Sequence, residues 1–240
     1  MGTSQSLKLK TTPNWASAKR AMSTIVQHRN GINQQHVDNL LHNEARAIIH
    51  DSHSSYGRSG GRVAKNFVKF ISSVRNNGLA AYVAQVSPDT AFDNLSVRDV
   101  LVLIKRQVSN PEPNSDHSTL DDIAARVAFE KLIGMIFSDI ETIDDIETVL
   151  QDATDEQIEG WMVDFQVEYI MELNGILFDA QIFSKGVEPD QIASQIRGFI
   201  RAKINEACLE QLHQVNLFSP EGEHFIESLT QQILEIWAQE

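Results

Sequence analysis

Apolar residues recur along this chain at steps of three and four. Val37, Leu40, Leu41, Ala45, Ile48 and Ile49 fall on one side of a helix, because 3.6 residues complete each turn. Val63, Phe67, Phe70, Ile71 and Val74 repeat the pattern, and Gly78 is placed to end that helix in the left-handed conformation. Ser96 is placed to cap a helix carrying Val97, Val100, Leu101, Ile104 and Val108. Leu120, Ile123, Ala124, Val127, Leu132 and Ile136 form a further stripe. Thr154 and Gln157 match a capping box that opens an amphipathic run to about Phe183. Pro189 starts a helix with Ile192, Ile196, Phe199, Ile200, Ile204 and Leu212 facing inward. Pro220, with Glu221 and Glu223 in the first turn, starts another. No segment alternates with the period of a strand. The predicted fold is all-α, about eight amphipathic helices in one or two packed bundles.

The stretch "NPEPNSDHS" at 110–118 holds two prolines and no apolar residue, so it reads as a linker. It divides the chain into a flexible tail over 1–13, a basic helical domain over 14–109 and an acidic helical domain over 119–240. Charge sharpens that division. Residues 1–110 carry 14 basic and 6 acidic side chains, and residues 111–240 carry 6 and 27. Two such faces are free to meet each other or different partners. At 240 residues the chain can bury a sizeable core. No apolar stretch nears the roughly 18–20 residues that span a bilayer, and the start lacks the apolar region of a secretory signal. One cysteine, Cys208, excludes an internal disulfide framework and fits a reducing compartment, so a cytoplasmic location with no membrane contact is expected.

The candidate chemistry is thin. His28, His36, His42, His50 and His53 crowd one region, and "IIHDSH" resembles the His-Asp pair of the HD metallohydrolases. A metal site needs several ligands converging from different helices. Here His50 and Asp51 are adjacent, and periodicity sets His36 and His50 at the edges of the stripe. Glu210-x-x-His213 and Glu221-x-x-His224 look like the elements of di-iron bundles. The stripe of Ile204, Cys208 and Leu212 turns Glu210 and His213 toward solvent. Cys208 itself reads as a small buried hydrophobe. The acidic run from Asp139 to Glu159 lacks the calcium-loop pattern and reads as a solvated helical surface. No metal, no cofactor and no enzymatic activity are expected.

Two further segments remain. In "SSYGRSGGRVAKNFVKF" (54–70), Gly57, Gly60 and Gly61 precede a helix whose free amides can hold an anion, with Arg58, Arg62 and Lys65 adding positive charge. A helical binding module using residues 57–75 on nucleic acid or protein is the functional alternative there. Close backbone packing at a helix start is the structural one. The opening "MGTSQS" fits the pattern for N-myristoylation. It also places a small glycine after Met1, so removal of the initiator would leave an unhindered α-amine. With a pKa near 8, that amine is a usable nucleophile once deprotonated.

The start "MGTSQS", the following "NWASAKRAM" and the helix start "YGRSGGRVAKNFVKFISSV" together resemble the QatB proteins of bacterial Qat anti-phage defence systems. The resemblance covers mainly the first 80 residues, with "LDDIAARVAFEKLI" at 120–133, and the acidic half has no residue-by-residue counterpart. It implies a non-catalytic component acting beside an ATPase, a QueC-like enzyme and a TatD-like nuclease. It further implies that the QueC-like partner attaches a deazaguanine group to Gly2, reading Thr3 and Ser4 beside it.

Overall fold

The computed structural model describes residues 12–51, 57–110, 120–175 and 189–239. Among them are ten α-helices, one 3-10 turn at Phe92–Asn94 and no strand. The helices are α1 (Pro13–Gln27), α2 (Gln34–Asp51), α3 (Arg58–Asn77), α4 (Leu79–Val86) and α5 (Val97–Val108). The chain continues through α6 (Leu120–Ile136), α7 (Ile143–Asp152), α8 (Asp155–Leu173), α9 (Pro189–Gln214) and α10 (Pro220–Gln239).

The all-α expectation holds, but the number of helices was set too low. Helix α4 is eight residues of nearly uniform apolarity, so it offers no stripe to count. Gly78, at φ 85°, both ends α3 and precedes α4. Helix α7 lies inside the acidic run that reads as solvated surface. A reciprocal cap between Thr142 and Asp145 starts it, and it buries Ile146 and Leu150. The caps expected at Ser96 and Thr154 are both formed. Ser96 exchanges hydrogen bonds with Asp99, and Thr154 with Gln157 at 2.8 and 3.2 Å.

The chain forms two compact units, interleaved in sequence. The first comprises 1–56, 174–199 and 234–240; the second comprises 57–173 and 200–233. The sequence reading places a linker at 110–118. Helices α5 and α6, on either side of that stretch, belong to one unit and pack together. Residues 111–119 themselves lie outside the described ones.

In the first unit α1 and α2 pair along their lengths. Ala18, Met22, Ile25 and Val26 are buried on α1, as are Val37, Leu40, Leu41, Ala45 and Ile48 on α2. In the second unit α3 is the central element, touching α4, α5, α6, α7 and α8, while α6 runs along α8. Phe67 of α3 packs edge-on against Phe129 of α6, with ring centroids 5.3 Å apart. Burying each such side chain contributes roughly 1.5–3 kcal/mol. Three residues counted on the apolar stripes, Ile49, Leu120 and Ile123, are exposed instead. On α6 the buried apolar residues are Ala124, Ala125, Ala128, Phe129, Leu132 and Ile133, so the face that packs is turned from the predicted one.

Candidate functional site

The glycine-rich start of α3 carries a cluster of buried and half-buried polar contacts within the second unit. Gly57 is the residue before the helix and sits at φ 86°, a conformation that glycine adopts without strain. The amides at this helix start that have no partner within the helix bond to a carboxylate of the chain itself. Asp121 of α6, 2% exposed, accepts from the Gly57 amide at 3.2 Å and the Ser59 amide at 3.0 Å. The buried hydroxyl of Tyr169 on α8 donates to the same carboxylate. Burial first, and the adjacent Asp121 charge second, push the Tyr169 phenol well above its ordinary range. Next to Asp121, Asp122 accepts from Ser59 Oγ at 2.7 Å and pairs with Arg62 at 2.8 Å.

Close packing explains the two glycines that follow. A Cβ on Gly60 would fall 2.3 Å from the Tyr169 ring, and one on Gly61 would fall 1.9 Å from the Glu227 carbonyl oxygen. The helix start therefore meets the α10 backbone where only a hydrogen fits. Of the three cations assigned to anion binding from sequence, Arg62 pairs with Asp122 and Lys65 with Glu227 at 2.7 Å. Arg58 is exposed. Further along α3, Lys69 pairs with Glu223 at 2.9 Å. Arg75 lies 3.8 Å from Asp155 and donates to the carbonyls of Leu150 and Ala153 at the end of α7. The basic face of α3 thus meets acids from the second half of the chain, inside one unit.

The other candidates are dispersed. The His28 and His36 rings lie tilted at 38° with centroids 4.8 Å apart, and His28 Nδ1 is bonded to the Thr24 carbonyl. His42 Nδ1 bonds to the Trp237 carbonyl, His50 is exposed, and His53 lies outside the described residues. His213 pairs with Glu159, a residue outside either Glu-x-x-His motif, while Glu210, Glu221 and His224 are exposed. Among the described residues no three His, Cys, Asp or Glu side chains come together to hold a metal. Cys208 is buried, and burial pushes its thiol up to about 11. No described helix is long and apolar enough to cross a membrane. Gly2, Thr3 and Ser4 lie outside the described residues.

The sequence reading passed over Glu44. It is 2% exposed, in line with Val37, Leu40, Leu41 and Ile48 on the buried side of α2. Burial raises its carboxyl well above the ordinary 4.5, and the neighbouring Asn174 opposes only part of that rise. The signal was a lone acid occupying the stripe position four residues from both Leu40 and Ile48.

The described residues define an all-helical protein in which Asp121 and Asp122 form a structural clamp that fastens the start of α3. No curated protein and no solved structure matches the chain. A family model described as QatB, the Qat anti-phage system associated protein, matches residues 52–237. The chain belongs to the QatB family, which makes it a component of Qat anti-phage defence and sets it among the other components of that system. The match runs through the acidic half, where the residue-by-residue resemblance had stopped.

Proposed function

We propose that this chain is a non-catalytic component of its Qat system, and that its terminal glycine is the substrate of a partner. In this reading Met1 is removed and the Gly2 amine receives a deazaguanine group from a QueC-like enzyme. Thr3 and Ser4 are the neighbours that the enzyme reads, and an ATPase and a TatD-like nuclease act in the same system. The observation that carries the reading is membership of the QatB family together with the opening "MGTS". Small residues beside an α-amine let an extended terminus enter a pocket, and an amine with a pKa near 8 needs little help to lose its proton.

Intact-mass measurement tests this. Protein produced with its genomic neighbours is expected to gain the mass of a deazaguanine group on the N-terminal peptide, and to lose that gain when the QueC-like gene is removed. Gly2→Leu, which retains Met1, is expected to abolish defence in cells while leaving the circular dichroism spectrum unchanged. An unmodified terminus in active protein from the native operon would sink the proposal. An added acyl chain would redirect it to lipidation.

A further inference from the structure

Helix α6 is apolar on two sides, and only one of them is buried where it meets α3, α5 and α8. Leu120, Ile123 and Val127 recur at steps of three and four residues on the other side. Leu120 is 41% exposed and Ile123 39%, with Val127 half-buried between them and the next turn. Met135, 50% exposed, lies near the end of the same helix. Three of the six exposed large apolar side chains among the described residues therefore belong to α6. Scattered singly, such residues need no explanation, but a helix that is apolar all round is ordinarily covered all round. The charges of α6 narrow what covers it. Five of its residues are charged, and three are used inside the unit. Asp121 and Asp122 fasten α3, and Lys131 pairs with Glu168 and Glu172. The other two, Arg126 and Glu130, are exposed one turn apart and have no ion pair among the described residues. Glu130 continues the stripe of Ile123 and Val127, and Arg126 flanks it.

We propose that this face of α6 is the contact between two copies of the chain, paired antiparallel about a two-fold axis that passes near Val127. Self-complementarity selects this occupant. A two-fold contact sets each residue against one about equally far on the other side of the axis. Ile123 precedes Val127 by four residues and Glu130 follows it by three. Ile123 of each copy therefore packs on the stem of Glu130 of the second copy, and Arg126 comes within reach of that same carboxylate. Both charges of the face are then met, twice over. A parallel pairing would instead set Arg126 against Arg126 and Glu130 against Glu130. The face carries one cation and one anion, so the net charge of −13 acts only at longer range, where physiological salt screens it beyond about 8 Å. Helix α6 has 17 residues and is about 25 Å long. One such helix pair covers less than the roughly 800 Å² per partner of a standard interface, so a weak, reversible dimer is the form expected. This inference uses nothing from the Gly2 reading and fails separately from it.

Sedimentation velocity of the full chain at physiological salt tests this, over concentrations from about 1 to 300 μM. The wild-type sedimentation coefficient is expected to rise with concentration toward that of a dimer. Ile123→Glu places a charge at a position already exposed, so the circular dichroism spectrum is expected to stay unchanged while the dissociation constant rises at least about tenfold. Arg126→Glu and Glu130→Arg each set like charges across the contact, twice by symmetry, and each is expected to weaken the dimer by about tenfold. Combined in one chain, the two reversals exchange the roles of the pair and are expected to recover most of the wild-type association. That recovery separates a specific antiparallel contact from apolar stickiness. A chain that stays monomeric over the whole range, or a dimer indifferent to Ile123→Glu, would overturn the proposal. So would a double reversal that associates no better than either single one.

Discussion

At the scale of single residues, Asp121 does the most. Its carboxylate joins the start of α3 to α6 and α8 through two backbone amides and the Tyr169 hydroxyl. Hydrogen bonds to a charged group contribute roughly 1.5–3 kcal/mol each, and burial makes their loss more costly. Asp121→Asn turns one acceptor oxygen into a donor that faces other donors. It is expected to lower stability by about 3 kcal/mol or more in urea unfolding at neutral pH. Tyr169→Phe removes one donor and leaves the two amides in place, so a loss of about 1.5–3 kcal/mol is expected. An Asp121→Asn protein as stable as wild type would show that the carboxylate is not the anchor. Glu44 sets a pH dependence of opposite sense to an ordinary salt-bridged acid. Its folded pKa is raised, so its contribution is fully present below the unfolded value of 4.5 and is lost as pH rises toward the folded value. Replacement by Gln is expected to remove that part of the slope in unfolding measured from pH 4 upward.

At the scale of elements, the glycines of α3 and α6 make opposite predictions from the same substitution. Gly61 has the Glu227 carbonyl where a Cβ would go, and backbone cannot move aside as a flexible side chain can. Gly61→Ala is therefore expected to cost at least about 1–3 kcal/mol, the range for overpacking. Gly134, inside α6, has nothing within 4 Å of the same position. Gly134→Ala is expected to add roughly 0.5–1 kcal/mol, the helix-interior difference between the two residues. Paired urea unfolding curves check both, and equal effects would refute the close approach. Helix caps give a local readout of the same kind. The Ser96 side chain first, then its backbone amide, hold the Asp99 carboxyl below its ordinary 3.8. Ser96→Ala is expected to move the Asp99 titration up toward that value by NMR, without altering α5 elsewhere.

At the scale of the molecule, charge separated along the chain is brought back together in space. Arg62, Lys65, Lys69 and Arg75 come from the basic half, and each meets an acid from the acidic half. Polyanion binding at residues 57–75 would have to compete with those acids, against a net charge of −13. No salt-dependent binding to duplex DNA is expected at low ionic strength. Fluorescence anisotropy checks this. Affinity that falls with salt, with a slope reduced by Arg58→Ala, would instead assign the segment to phosphate contact.

Helix type, most helix starts and the inward side of α2, α3 and α9 were legible in the sequence, because they depend on residues within one or two turns of each other. The caps at Ser96 and Thr154 and the burial of Cys208 belong with them. Helices too short or too uniform to show a period were not legible, which is why α4 was missed. The face of α6 was also out of reach, since which side of a helix packs depends on its neighbours. The glycines before α3 show the limit most plainly. In sequence the free amides of that helix start are open to any anion or to none, and in the folded chain they meet Asp121, 64 residues from Gly57. Only the folded chain decides whether a charge so placed is spent inside the protein or offered to a partner, because pairing at that separation is set by how helices pack and not by local spacing.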